Sequence, residues 1–169
     1  MNTVKQAVMR TMTLALTAAL LMTPFAPQAA AAQDPDVITI HSASDFLQFA
    51  EACALDTWSQ GKTVCLSADI HLPGDQFAPV PTFGGTFDGG GFAITGLSLT
   101  QDGSNQGLFR YLQPGGVIQN LTVCGVVQPG GSQQTVGGIV GNNAGTILDC
   151  TFQGLVQGKS CVPLPLTMH

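Results

Sequence analysis

"VGGIVGNNAGTILDCTFQGLVQG", residues 136–158, places six glycines in 23 positions, yet its Ile, Val, Leu and Phe recur between polar neighbours as in a strand. Glycine at that density marks flexible linkers, whereas apolar alternation marks strands with one buried face. The rest of the chain decides between them. ITGLSL (94–99), IQNLTV (118–123) and ILDCTF (147–152) share one pattern. Ile94, Ile118 and Ile147 hold its first position, Leu97, Leu121 and Cys150 its fourth, and Leu99, Val123 and Phe152 its sixth. Between them stand QGLFRYL (106–112) and VGGIVGNN (136–143), a second strand-like piece in each unit. A shared apolar pattern returning every few tens of residues is the signature of a solenoid. Glycine then supplies bends and close backbone approach, so it punctuates a coil of strands. The three named positions are expected to form three stacked columns of about four turns.

The N-terminal part reads differently. Residues 1–32 carry Lys5 and Arg10, an uncharged run TMTLALTAALLM (11–22) and AAAA at 29–32. A basic region, a short apolar core and small residues describe a secretory signal peptide, with cleavage expected after Ala32. The run is too short for a membrane span, which needs roughly 20 apolar residues. The remaining 137 residues keep three basic side chains (Lys62, Arg110, Lys159) against ten acids, a formal net charge of −7. That balance argues against nucleic acid or an anionic membrane as partner.

HSASDFLQFAEACA (41–54) sets Ser42 three residues before Asp45, and Phe46, Phe49, Ala50 and Cys53 follow at spacings of three and four. This predicts a capped amphipathic helix within the segment 33–62, flanked by strands at ITI (38–40) and TVCLSADIHL (63–72). The fold class expected is all-β: a short parallel β-helix over residues 63–158, with an N-terminal capping α-helix. Residues 159–169, KSCVPLPLTMH, leave the repeat and carry two prolines, so they read as an irregular tail. The solenoid end is therefore expected to dock on a partner or to continue in a longer protein. The LPLT at 164–167 lacks the glycine and apolar tail of a cell-wall sorting signal and reads as coincidence.

Five cysteines in an exported chain permit disulfides. A helix packed over the solenoid end brings Cys53 near Cys65 at the start of the next strand, and a bridge between them is expected. Cys124 and Cys150 hold different repeat positions and should stay unbridged. No CxxC pair exists and His41, His71 and His169 are scattered, so neither metal nor cofactor is expected. Asp69, Asp88, Asp102 and Asp149 are spread over the repeats without the pairing that glycoside hydrolysis requires. Asp88, before glycine, suits a turn, and Asp149 aligns with Asn120 and Gly96 as a corner residue. Trp58 suits a cap, and the NLT at 120–122 fits the repeat.

FGGTFDGGGFAITGLSL (83–99), QGLFRYLQPGGVIQNLTV (106–123) and the 136–158 block together resemble the GLUG-repeat proteins. These are bacterial secreted and surface chains with a right-handed β-helix of the pectin-lyase-like type. The resemblance implies a secreted or cell-surface, adhesin-like module whose motif is structural. It implies no catalytic residue, and a host or envelope glycan or protein as partner. A polysaccharide lyase or hydrolase and a structural spacer are the alternatives. Arg110 departs from the pattern, where the family has glycine after GLF, and is expected to weaken a corner there.

Overall fold

The computed structural model describes residues 36–74, 77–131 and 135–158; the signal peptide expected at 1–32 and the irregular tail expected at 159–169 lie outside the described residues. Eleven strands and one helix follow the order β1 (Val37–Ile40), α1 (Ala43–Ala52), β2 (Thr63–Leu66), β3 (Ile70–Gly74), β4 (Thr86–Asp88), β5 (Ala93–Leu99), β6 (Phe109–Leu112), β7 (Val117–Gln119), β8 (Thr122–Val127), β9 (Val140–Asn143), β10 (Thr146–Leu148) and β11 (Thr151–Val156). They form three stacks with the orders β1-β2-β4-β7-β10, β3-β5-β8-β11 and β6-β9. Segment 77–83 joins the third stack through single bridges from Val80 to Phe109 and from Phe83 to Leu112. Every strand pairing is parallel. The chain visits each stack once per circuit, so it is a parallel β-solenoid of about four turns.

Register explains the packing and corrects the expected columns. In the first stack Val64, Phe87, Ile118 and Ile147 are successive partners. In the second, Ile70, Ile94, Val123 and Phe152 stand in line. Ile94 is therefore not in the column of Ile118 and Ile147, and Leu99 lies opposite Val127, not Val123. Leu97 lies opposite Gly125. Leu121 and Cys150 do share a position, each preceding the Thr122–Thr151 pair. The interior holds all of them: Ile94, Leu97, Leu99, Ile118, Leu121 and Val123 are buried, and Ile147, Cys150 and Phe152, in the last turn, are half-buried.

The helix plugs the N-terminal end. Its cap forms as the sequence implies: Ser42 Oγ accepts from Asp45 N (3.2 Å) while the Asp45 carboxylate accepts from His41 N (3.0 Å). The cap frees Phe46 and Phe49 to enter the coil. Phe49 meets the rings of Phe83 and Phe87 at 5.7 Å each, and Phe87 meets Phe109 at 5.4 Å. The first turns are thus filled by aromatic rings from the helix and from two separate stacks, at separations that favour tilted and edge contacts. At the other end β9, β10 and β11 are the outermost described strands, and Leu148, Leu155 and Val156 are 41–48% exposed.

The expected Cys53–Cys65 bridge is absent: Cys53, Cys65, Cys124 and Cys150 are all free. Strand parity is the reason. Val64 and Leu66 are buried, so Cys65 points outward from β2 while Cys53 closes the helix inside the core. Burial pushes the Cys53 thiol up to about 12. Native protein at pH 8 should therefore alkylate Cys53 at least about 100-fold more slowly than unfolded protein, since only the thiolate reacts. Peptide mapping checks this; a Cys53–Cys65 crosslinked peptide would overturn the assignment.

Candidate functional site

Where the third stack begins, the chain leaves a cleft of about 320 Å³. Phe77, Pro79 and Leu99 form its apolar wall, and Gln101, Asp102, Gln106 and Arg110 supply its polar groups. In β6 Phe109 and Leu112 are buried and Arg110 is exposed, and the backbone there is fixed by Arg110 N donating to Val80 O (2.8 Å). Arg110 therefore sits within a strand and not at a corner, which corrects the weakness expected there. Its guanidinium has no ion pair among the described residues. A methyl group built on Gly103 would stand 3.5 Å from its Nη2 and would collide with the Gln106 amide, so glycine is what lets both lie over the loop.

Gln106 is the best-held of these side chains. Its backbone N–H donates to Thr135 O (3.2 Å) and its backbone carbonyl accepts from Gly137 N (2.9 Å), while its side-chain Nε2 donates to Gln101 O (3.3 Å). It is only 3% exposed, yet its Oε1 has no partner among the described residues. A buried amide oxygen without a donor costs about 1–3 kcal/mol, the kind of defect that a bound molecule or water relieves. The chemistry assembled is one cation, one carboxylate and two amides beside an apolar wall. It suits recognition of a polar ligand. Asp102 is the single carboxylate in the described lining, so the two-carboxyl arrangement of glycoside hydrolysis is not built here.

Asp69 and Asp88 hold neighbouring turns together. Asp69 Oδ1 accepts from Ala93 N across one turn (2.8 Å). Asp88 accepts from Gln119 Nε2 (2.8 Å), Gly90 N (2.8 Å) and Asn120 Nδ2 (3.1 Å), tying two turns together at a corner. Asn120 and Asp149 both turn the chain at positive φ (51° and 49°), as a shared corner position requires. Gly96 does not belong with them: its φ of +76° lies inside β5, where the register shifts. Trp58 packs beside Phe49 with Lys62 over its ring, and His41 and His71 bond Ser67 and Thr95. No group of three metal-ligating side chains occurs among the described residues.

The hydrogen bonds from Gln119, Gly90 and Asn120 hold the Asp88 carboxyl below the usual carboxylate range. A depressed folded value gives stability that is present above the unfolded value near 4 and is lost as pH falls through the folded one. Asp45, lowered by its cap hydrogen bonds, acts in the same direction. Asp88→Asn should cost about 1 kcal/mol at pH 7, and the gap from wild type should shrink as pH falls below the unfolded value and through the lowered folded one. Thermal melts across that range check it; a gap that does not change with pH would remove Asp88 from the account.

No family model matches the chain, and no solved structure matches it. A 92-residue stretch is 38% identical to Halomucin of Haloquadratum walsbyi, covering 51% of this chain. The chain spans about 1% of the length of that relative. Among the described residues no helix is long and apolar enough to cross a membrane.

Proposed function

We propose that this chain is an exported, non-catalytic β-solenoid module of a bacterial surface, which attaches through the Arg110 cleft to a host or envelope glycan or protein. The GLUG-like reading of its repeats belongs to the same proposal. The observation that carries it is the division of labour among the polar groups. Asp69 and Asp88 are spent on joining turns, while the cleft gathers a cation without an ion pair, Asp102 and two amides. Such a set positions a ligand and lacks an acid–base pair. The partial likeness to Halomucin supports a surface or secreted setting.

Residues 33–169 should be tested on glycan arrays and against envelope polysaccharides. Binding should weaken at least about tenfold with Arg110→Ala, a loss of about 1.4 kcal/mol, and the bound polymer should keep its length. Depolymerisation abolished by Asp102→Asn or Asp88→Asn would turn the reading to an enzyme. A structural spacer is the second reading, favoured by the match to so small a part of a long chain. It would be established by a chain that binds nothing yet folds as stably as this one should.

A further inference from the structure

We propose that the Arg110 cleft is one half of a longer groove along β6, completed by a second cleft at Tyr111, and that this groove takes an uncharged, hydroxyl-rich linear glycan. The inference rests on the attachment role proposed above and adds to it a second subsite and the chemistry of the ligand. The second cleft, of about 630 Å³, is lined by Tyr111, Pro81, Pro114 and Asp56, with Gln60 and Gln113 among its amides. It adjoins the first. Pro79 of one and Pro81 of the other flank Val80, and Arg110 and Tyr111 are consecutive, their Cα atoms about 3.8 Å apart. Both stand between the buried Phe109 and Leu112, Arg110 exposed and Tyr111 half-buried.

The protein's own hydrogen bonds fix both halves in advance. Gln113 Nε2 donates to Asp56 O (2.8 Å) and to Thr82 Oγ1 (3.0 Å), and its Oε1 accepts from Gln60 Nε2 (3.2 Å). These bonds tie the segment after the helix to the third stack, so the second cleft needs little ordering to receive a ligand. Gln106, in the first cleft, and Gln113, in the second, are seven residues apart, at most roughly 25 Å. That length suits an oligomer better than a single ring. β6 is paired with β9 on one side and bridged to segment 77–83 on the other, so it offers no free ladder edge to an extended peptide.

Donors and acceptors select the ligand. Asp102 only accepts, Arg110 only donates, and the buried Gln106 Oε1 lacks a donor while its Nε2 is spent on Gln101 O. Gln101 O sets that amide's orientation, because a flipped amide would bring two oxygens together. A hydroxyl both donates and accepts, so a polyol answers Asp102 and Arg110 together and supplies Gln106 with a donor, directly or through one water. A carboxylate or phosphate ligand brings acceptors and leaves Gln106 unanswered. Charge agrees with this. Along the groove Asp102 and Asp56 stand against one Arg110, and residues 33–169 carry a formal net charge of −7, which repels a polyanion. Tyr111, Pro81 and Pro114 then supply the apolar surface on which the C–H faces of sugar rings can pack.

The test is titration of residues 33–169 with neutral gluco-, manno- and galacto-oligosaccharides, as disaccharides and hexasaccharides, and with polygalacturonate, at low and high salt. One neutral hexasaccharide should bind at least about tenfold tighter than its disaccharide and tighter than polygalacturonate, with little dependence on salt. Tyr111→Ala should weaken the hexasaccharide at least about tenfold and the disaccharide less than about twofold, whereas Tyr111→Phe, which keeps the ring, should bind as wild type. Tyr111 is the single tyrosine of the chain, so its ring signals in the unmutated protein should also shift on hexasaccharide addition. Binding that ignores length and Tyr111 would overturn the groove and leave the attachment role standing. A preference for polygalacturonate that salt abolishes would overturn the uncharged ligand, again with attachment intact. Binding of a protein or peptide and of no oligosaccharide at any length would end this proposal together with the glycan arm of that role.

Discussion

Phe49→Ala should remove about 3–5 kcal/mol of stability, one of the two largest losses expected of any single substitution in this chain. The ring stands where the helix enters the coil and meets five others: Phe46, Trp58, Phe83, Phe87 and Phe109, at 5.6–6.4 Å. Those partners come from the helix, the segment after it, the first turn and two stacks of the second. Deleting the ring therefore opens a cavity bounded by elements that rigid strand pairing cannot bring together, so little collapse will relieve it. Against a typical total of 5–15 kcal/mol, such a loss lowers Tm by on the order of 10–20 °C. Leu55→Ala, two residues past the helix cap and 67% exposed, should fall within about 0.5 kcal/mol of wild type. Equal losses at Phe49 and Leu55 would mean that the helix does not plug the coil.

The helix and its cap were legible because their signals are local: Ser42, Asp45 and the spacing of Phe46 and Phe49 lie within eight residues. The solenoid was legible from the returning pattern. Its register was not, and corner length is the cause. From the first stack to the second, Val64 to Ile70 is six residues, Phe87 to Ile94 seven, and Ile118 to Val123 and Ile147 to Phe152 five. The two later turns have equal corners, so Ile118 and Ile147 align by eye. The FDGGG corner holds two residues more, and ITGLSL slides against IQNLTV into a plausible but wrong frame. Two strands per turn with the same alternation offer no local signal to resist that slip.

The cleft was half visible. Arg110 and Asp102 stand out by charge, but nothing local joins them to Gln106, or to Phe77 and Pro79 from the preceding turn. The aromatic cluster is similar, since Phe83, Phe87 and Phe109 meet only once the chain has coiled. The disulfide expectation failed on a feature that was present in the sequence. Cys65 lies between Val64 and Leu66, and alternation sends it away from the core that holds Cys53. Proximity along the chain does not join the pair, because parity turns the two thiols apart.

The glycines provide the sharpest discrimination between a coil and a linker, through Gly125→Ala. β8 is an inner strand of its stack, paired with β5 on one side and β11 on the other. A methyl group on Gly125 would stand 2.6 Å from Leu97 Cβ and even closer to the Leu97 carbonyl oxygen. Neither neighbour is a flexible side-chain end, and β8 cannot retreat without breaking the β11 ladder. Overpacking in a well-filled interior costs about 1–3 kcal/mol, and a backbone collision in a doubly paired strand should reach or pass the upper part of that range. Gly115→Ala is the control: its φ is +84° and nothing lies within 4 Å of the added carbon. It should cost about 1 kcal/mol, the strain of a left-handed backbone alone. Gly154→Ala crowds the Gly125 backbone in turn, but β11 is the outermost described strand and can shift, so its loss should fall between the two. A glycine-rich linker would give the opposite result, because alanine there stiffens the unfolded chain and is neutral or stabilising. Denaturant melts of the three variants, read for the order Gly125 above Gly154 above Gly115, distinguish the cases, and a neutral Gly125→Ala would refute close stacking of the turns.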